Sequence, residues 1–216
     1  MGYRFAHSAL VILAVLATAA CGAGSSRPSI PSQARTMLPG WTLIEKPAAG
    51  FSVQVPPHWD EASTATIGDV LKKNPNIPPQ LASQVQTALA NDAIKLFVLD
   101  FEPDASDQRF VTNFNVVQLS VPAGVSLQAF ADASANQLQH LSGFQPPLDQ
   151  SNVALPGGKA VKLHYQLTTT LVSDVSQFVL VRGSSGYVLT FTTVPDRFAK
   201  VQSSFQSVAE TFRLTG

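Results

Sequence analysis

Cysteine is nearly absent from this chain: Cys21 is the only one among 216 residues. No internal disulfide can form, and one thiol cannot assemble a zinc cluster, so the fold must rest on its core alone. Charge is also sparse, with 13% charged residues, 14 basic and 14 acidic. Nucleic acid and anionic membrane surfaces both require clustered Lys and Arg, and no such cluster occurs. Long apolar runs are missing too. The most apolar stretch, Ala9–Ala20, would reach only ~18 Å as a helix, well short of a ~30 Å hydrocarbon core.

That stretch has the anatomy of a secretory leader. Arg4 supplies the basic start, Ala9–Ala20 the apolar centre, and Ala19-Ala20 the small residues that a signal peptidase requires. Ala19-Ala20-Cys21-Gly22 resembles the bacterial lipobox, with Thr18 where Leu is commonest. The resemblance implies cleavage between Ala20 and Cys21. Cys21 then carries a covalent diacylglycerol and an N-acyl chain; no other cofactor is expected. Two or more acyl chains hold a protein stably, at ~0.8 kcal/mol per buried CH₂. Removing the leader takes only Arg4 from the charged residues, leaving 13 basic against 14 acidic. The expected address is the extracytoplasmic face of a cell membrane.

Residues 21–40 follow as a small, polar, Pro-punctuated tether, able to span ~25 Å as a flexible coil. Residues 41–216 form one domain, large enough to bury about 70% of its unfolded surface, with 13 Phe in the whole chain to fill a core. Trp41–Glu45 and Phe51–Val55 read as strands, the second half-buried because Phe51, Val53 and Val55 alternate with Ser52 and Gln54. Pro56-Pro57 ends it, leaving His58-Trp59 in a loop. Ile67–Lys73 and Pro79–Ala90 suggest short helices within an excursion over Asp60–Asp92. Ile94–Phe101 is apolar almost throughout, as expected of a central strand covered on both faces, with Phe114–Val121 as its partner.

Ser126–Ser142 predicts a helix capped by Ser126 and closed by Gly143, with Leu127, Phe130, Ala131, Ser134, Leu138 and Leu141 on one face. Val161, Leu163, Tyr165 and Leu167 alternate with Lys162, His164, Gln166 and Thr168, a half-exposed strand that makes His164 a surface histidine. Ser176–Arg182 and Tyr187–Thr193 form a hairpin about Gly183–Gly186. Pro195-Asp196 opens a final helix whose Phe198, Val201, Phe205, Val208, Ala209 and Phe212 form an apolar stripe. Strands with helices between and after them, without regular βαβ alternation, predict an α+β fold around a mainly antiparallel sheet.

Two stretches carry a family resemblance. Gly50-Phe51-Ser52-Val53-Gln54-Val55-Pro56-Pro57-His58-Trp59 resembles the opening motif of PsbP-like domains, and Gly186–Thr192 with the Phe198–Phe212 helix resembles their closing strand and helix. That family includes an extrinsic photosystem subunit, Ran-binding proteins and bacterial lipoproteins. The resemblance implies an α-β-α sandwich serving as a non-enzymatic accessory or binding module. An envelope protein is the expected partner, met by the sheet's exposed face and the Asp60–Asp92 excursion.

Chemistry is thin. His58, His140 and His164 lack metal-ligand spacing, and Gly183-Ser184-Ser185-Gly186 joins two strands, which is the wrong context for a nucleophile elbow. The chain is therefore not expected to be an enzyme, and no catalytic residue is assigned. Asp100, Glu102, Asp104 and Asp107 offer hard oxygen ligands to a weakly held divalent ion, against the alternative of a solvated acidic loop. Phe97, Phe101, Phe130, Phe191, Phe198 and Phe205 would line an apolar ligand site if the helices left space over the sheet. A carrier of lipid or of a small apolar ligand is thus the alternative to a protein-binding module.

Overall fold

A computed structural model describes residues 36–63, 87, 92–100, 110–168 and 171–215. Cys21 and its leader, both expected helices of the excursion, and Phe101, Glu102, Asp104 and Asp107 lie outside the described residues.

Ten strands and two helices are described. β1 (Thr42–Lys46) and β2 (Phe51–Val55) form a hairpin joined by a 3-10 turn at Pro47–Ala49. β10 (Arg213–Leu214) adds to β2 antiparallel, making a three-stranded sheet. The main sheet has seven antiparallel strands, β3 (Trp59–Glu61), β4 (Ile94–Asp100), β5 (Asn113–Ser120), β6 (Phe144–Leu155), β7 (Gly158–Thr168), β8 (Val172–Arg182) and β9 (Ser185–Thr193). They lie in the order β3-β4-β5-β9-β8-β7-β6. α1 (Leu127–Gln139) covers β6, β7 and β8 on one face. α2 (Pro195–Thr211) and the small sheet cover the other, where α2 meets β2, β8 and β9. The expected α+β architecture, with layers on both faces of an antiparallel sheet, is the observed one.

Strand alternation sorts the core into two halves. Leu96, Val98, Phe114, Val116, Phe178, Leu189 and Phe191 point towards α2, where Phe51, Val53, Val55, Val201, Phe205, Val208 and Phe212 meet them. Val117, Val161, Leu163, Tyr165, Val175, Val179 and Val188 point towards Phe130, Ala131, Ala135 and Leu138 of α1. Both helices begin as their sequences predict. The Ser126 hydroxyl accepts from the Ala129 N–H at 3.1 Å, and Pro195 occupies the first turn of α2, where its missing N–H is not needed.

Several expectations need correction. β2 is buried on both sides, not half-buried, because the chain arriving at Thr36–Leu38 lies over it. Gln54 accepts from the Leu38 N–H at 2.8 Å and donates to the Thr36 carbonyl at 3.0 Å. Trp59 is strand, not loop: it pairs with Asp100 and is 5% exposed. β4 is covered on both faces as expected, yet stands second from one edge of the sheet, not at its centre. No face of the central strands is open to serve as a contact surface, since β5, β8 and β9 are buried along almost their whole length. Exposure is concentrated on β6, a twelve-residue edge strand without a sequence signature.

Candidate functional site

The loop that leaves β2 turns sharply at Pro56–Trp59. The Trp59 N–H donates to the Pro56 carbonyl at 3.3 Å, and His58 takes a left-handed φ of 67°. A non-glycine residue held there carries backbone strain of order 1–2 kcal/mol. The turn forms one wall of a cleft of about 350 Å³, lined by Pro56, Pro57, His58, Trp59, Asp100, Val201 and Ser204. The volume falls within the range of small-ligand or side-chain binding sites.

Three elements position the lining. The β3–β4 ladder sets Asp100 opposite Trp59. Val201 and Ser204, three apart on α2, face the same way. Trp59 is fixed by an edge contact with Phe205, ring centroids 6.1 Å apart. Asp100 is almost fully buried, and Nη2 of Arg197, one turn before Val201, stands 3.8 Å from its Oδ2. Arg197 Nη1 is buried without a hydrogen-bond partner among the described residues. The cleft thus combines two prolines and a tryptophan with an imidazole, a hydroxyl and one carboxylate backed by a guanidinium.

Of the acidic quartet, only Asp100 is described; it ends β4 and faces α2. The aromatic set divides between the two faces. Phe191 stacks on Phe205 at 5.0 Å, and Phe205 meets Phe198 edge-on at 6.4 Å, all on the α2 side. Phe130 lies under α1 on the opposite face, and Phe97, between Leu96 and Val98, also points away from α2. His164 is not a free surface histidine. Its ring stacks on Phe198 at 4.8 Å, its Nε2 lies 3.2 Å from Asp174 Oδ1, and its Nδ1 lies 3.8 Å from Asp149 Oδ2. Two carboxylates on opposite sides of one ring make a clamp, and no group of three His, Cys, Asp or Glu among the described residues converges as a metal site.

A second polar feature was not anticipated. Asn113, Asn115, Gln177, Thr190 and Thr192 occupy neighbouring positions on β5, β9 and β8, on the face that carries Tyr165. Asn113 Oδ1, both amide atoms of Asn115, Gln177 Oε1, Thr192 Oγ1 and the Tyr165 hydroxyl have no hydrogen-bond partner among the described residues. Burial pushes the Tyr165 phenol well above its usual range. Asn113 and Asn115, two apart among Phe114, Val116 and Val117, are the sequence signal for this band. An unmet buried amide costs about 1–3 kcal/mol. Asn115→Leu, close in shape, should therefore raise the unfolding free energy by about 1–2 kcal/mol in urea denaturation.

No family model and no curated protein matches the chain by sequence. Solved structures do match in shape. The solution structure of cyanobacterial PsbP (CyanoP) from Synechocystis aligns with a TM-score of 0.54 at 15% identity, covering 85% of this chain and 97% of that one. Mog1p, a Ran-binding protein of Saccharomyces cerevisiae, aligns at 0.52 and 11% identity, covering 81% and 95%. LpqN of Mycobacterium tuberculosis, involved in cell envelope biogenesis, aligns at 0.47 and 14% identity, covering 77% and 83%. The chain has the PsbP-like fold, as its opening and closing motifs imply.

Proposed function

We propose that this chain is a lipid-anchored, extracytoplasmic binding module that performs no catalysis. Cys21 carries the lipid, residues 22–40 hold the domain off the membrane, and the cleft between Trp59 and α2 receives part of an envelope protein. The observation that carries the anchor is the Ala19-Ala20-Cys21-Gly22 sequence behind a short apolar leader. Among the described residues no helix is long and apolar enough to cross a membrane.

For the binding role, support comes from the cleft's composition. Rigid Pro and Trp walls with one buried charge form the kind of pocket that takes an anchoring side chain from a partner. Mog1p shares the fold and is a Ran-binding protein, which shows that such a domain can be put to protein binding. The lipid-carrier alternative gains no support from the aromatic core, where Phe114, Phe178, Phe191 and Phe205 contact one another.

Replacing Cys21 with Ser tests the anchor. After cell fractionation the unaltered protein should sediment with membranes, and Cys21→Ser should lose its acyl chains and shift to the soluble fraction. Retention of Cys21→Ser on membranes washed with high salt would contradict the reading.

A further inference from the structure

The main sheet has two edges of unequal character. β3 ends one with three residues, and β6 ends the other with twelve. An edge strand presents a row of unpaired N–H and C=O groups, which proteins usually blunt with proline, a bulge or charge. β6 has these devices only in its first half. Pro146 and Pro147 remove two donors, and the pairing with β7 shifts register between Gln145 and Asp149. From Gln150 to Leu155 the ladder is regular, running from Gln150↔Leu163 to Leu155↔Gly158, and this stretch contains no charged residue. Gln150, Ser151, Asn152 and Ala154 are exposed.

We propose that the Gln150–Leu155 edge pairs antiparallel with the same segment of a second copy of this chain, joining two sheets into one. Centred on Asn152, the pairing sets that residue against its own mate, with Gln150 facing Ala154 and Ser151 facing Val153. No charge meets its like, and with 13 basic against 14 acidic residues once the leader is removed, long-range repulsion between copies is slight. An acidic or basic foreign strand, by contrast, finds no complementary charge on this stretch.

Geometry favours a second copy for another reason. Antiparallel pairing of two identical edges places a two-fold axis perpendicular to the sheet, so both α2 layers fall on the same side. The incoming chain lies on that side as well. Thr36 and Leu38 are bound by Gln54 of β2, whose backbone N–H donates to Thr211 Oγ1 of α2 at 2.9 Å. Both copies therefore present Thr36 on the same side, as two copies rooted in one membrane require; this step rests on the anchor reading of Cys21. A contact of about five residues a side is small beside the ~1,200–2,000 Å² of a stable interface. The pair is weak in solution and depends on the high local concentration that shared attachment gives.

The test uses the full chain in its native membrane. Cys21 is the only native cysteine, and once acylated it has no thiol, so Asn152→Cys introduces a unique one. Mild oxidation should yield a disulfide-linked dimer with Asn152→Cys and little with Asn136→Cys, an exposed position on α1. Adding Ser151→Lys, which crowds positive charge at the two-fold axis, should lower the dimer yield severalfold. Equal yields at positions 152 and 136, or no dimer at 152, would overturn the proposal. A dimer of the unaltered chain through Cys21 would expose an unacylated thiol and overturn the anchor reading separately, with the 152-to-136 contrast then read in a Cys21→Ser background.

Discussion

Phe191→Ala should lower the unfolding free energy by about 4 kcal/mol, within the ~3–5 kcal/mol cost of truncating a buried Phe. Phe191 is fully buried near the C-terminal end of β9. It stacks on Phe114 at 4.5 Å and on Phe205 at 5.0 Å, and meets Phe178 edge-on at 5.8 Å. One side chain therefore ties three strands of the sheet to α2. Truncation removes the transfer free energy of the ring, forfeits three ring contacts, and leaves a cavity between strands whose backbones are fixed by ladders on both sides. Against a typical total of 5–15 kcal/mol, the loss should bring the urea midpoint down sharply without changing the m-value. A loss below about 1 kcal/mol would mean that the core relaxes around the gap and that this stack is not what joins sheet and helix.

Gly143→Ala should be comparably damaging, for a different reason. Gly143 turns the chain from α1 into β6 at a φ of 89°, where a Cβ carries a conformational cost of ~1–2 kcal/mol. An added Cβ would also lie 1.8 Å from the Thr168 carbonyl oxygen. That contact cannot be relieved by a rotamer change, because Thr168 is backbone at the end of β7 and its N–H donates to the Gly143 carbonyl at 2.7 Å. The α1–β6 turn must part from β7, at an expected cost of about 3 kcal/mol or more. Gly183→Ala is the matched control. Its φ of 59° is also left-handed, but nothing lies within 4 Å of the added Cβ, so it should lose only about 1–2 kcal/mol. Thermal unfolding of the two variants side by side isolates the steric part, and equal losses would show that the close approach at Thr168 is not maintained in solution.

The elements legible in the sequence are those whose burial is one-sided. α2 announces itself because Val201, Phe205, Val208 and Ala209 must all meet one surface, and β7 because Val161, Leu163, Tyr165 and Leu167 face α1 while Lys162, His164 and Gln166 do not. β6 was invisible for the converse reason. An edge strand exposed on both sides has no burial period, and Pro146-Pro147 argues against a strand at all. Pro56-Pro57 reads as a terminator and predicts a loop at Trp59, whereas the chain resumes pairing two residues later.

The cleft was beyond reach of local pattern. Its residues come from Pro56–Trp59, Asp100 and Val201–Ser204, and only the ladder that sets Trp59 opposite Asp100 and the packing of Trp59 on Phe205 bring them together. Each residue looks ordinary in its own stretch. His164 shows the same limit: its polar neighbours on β7 suggest solvent, while Phe198, more than thirty positions later in sequence, covers its ring.

The most direct test of the account is the mass of the N-terminal peptide of the protein isolated from the cells that produce it. The account predicts a chain that begins at Cys21, with a diacylglyceryl group on sulfur and an acyl chain on the new α-amine. A free Cys21 thiol, or a mature chain that begins elsewhere, would contradict it and leave the PsbP-like domain without its membrane anchor.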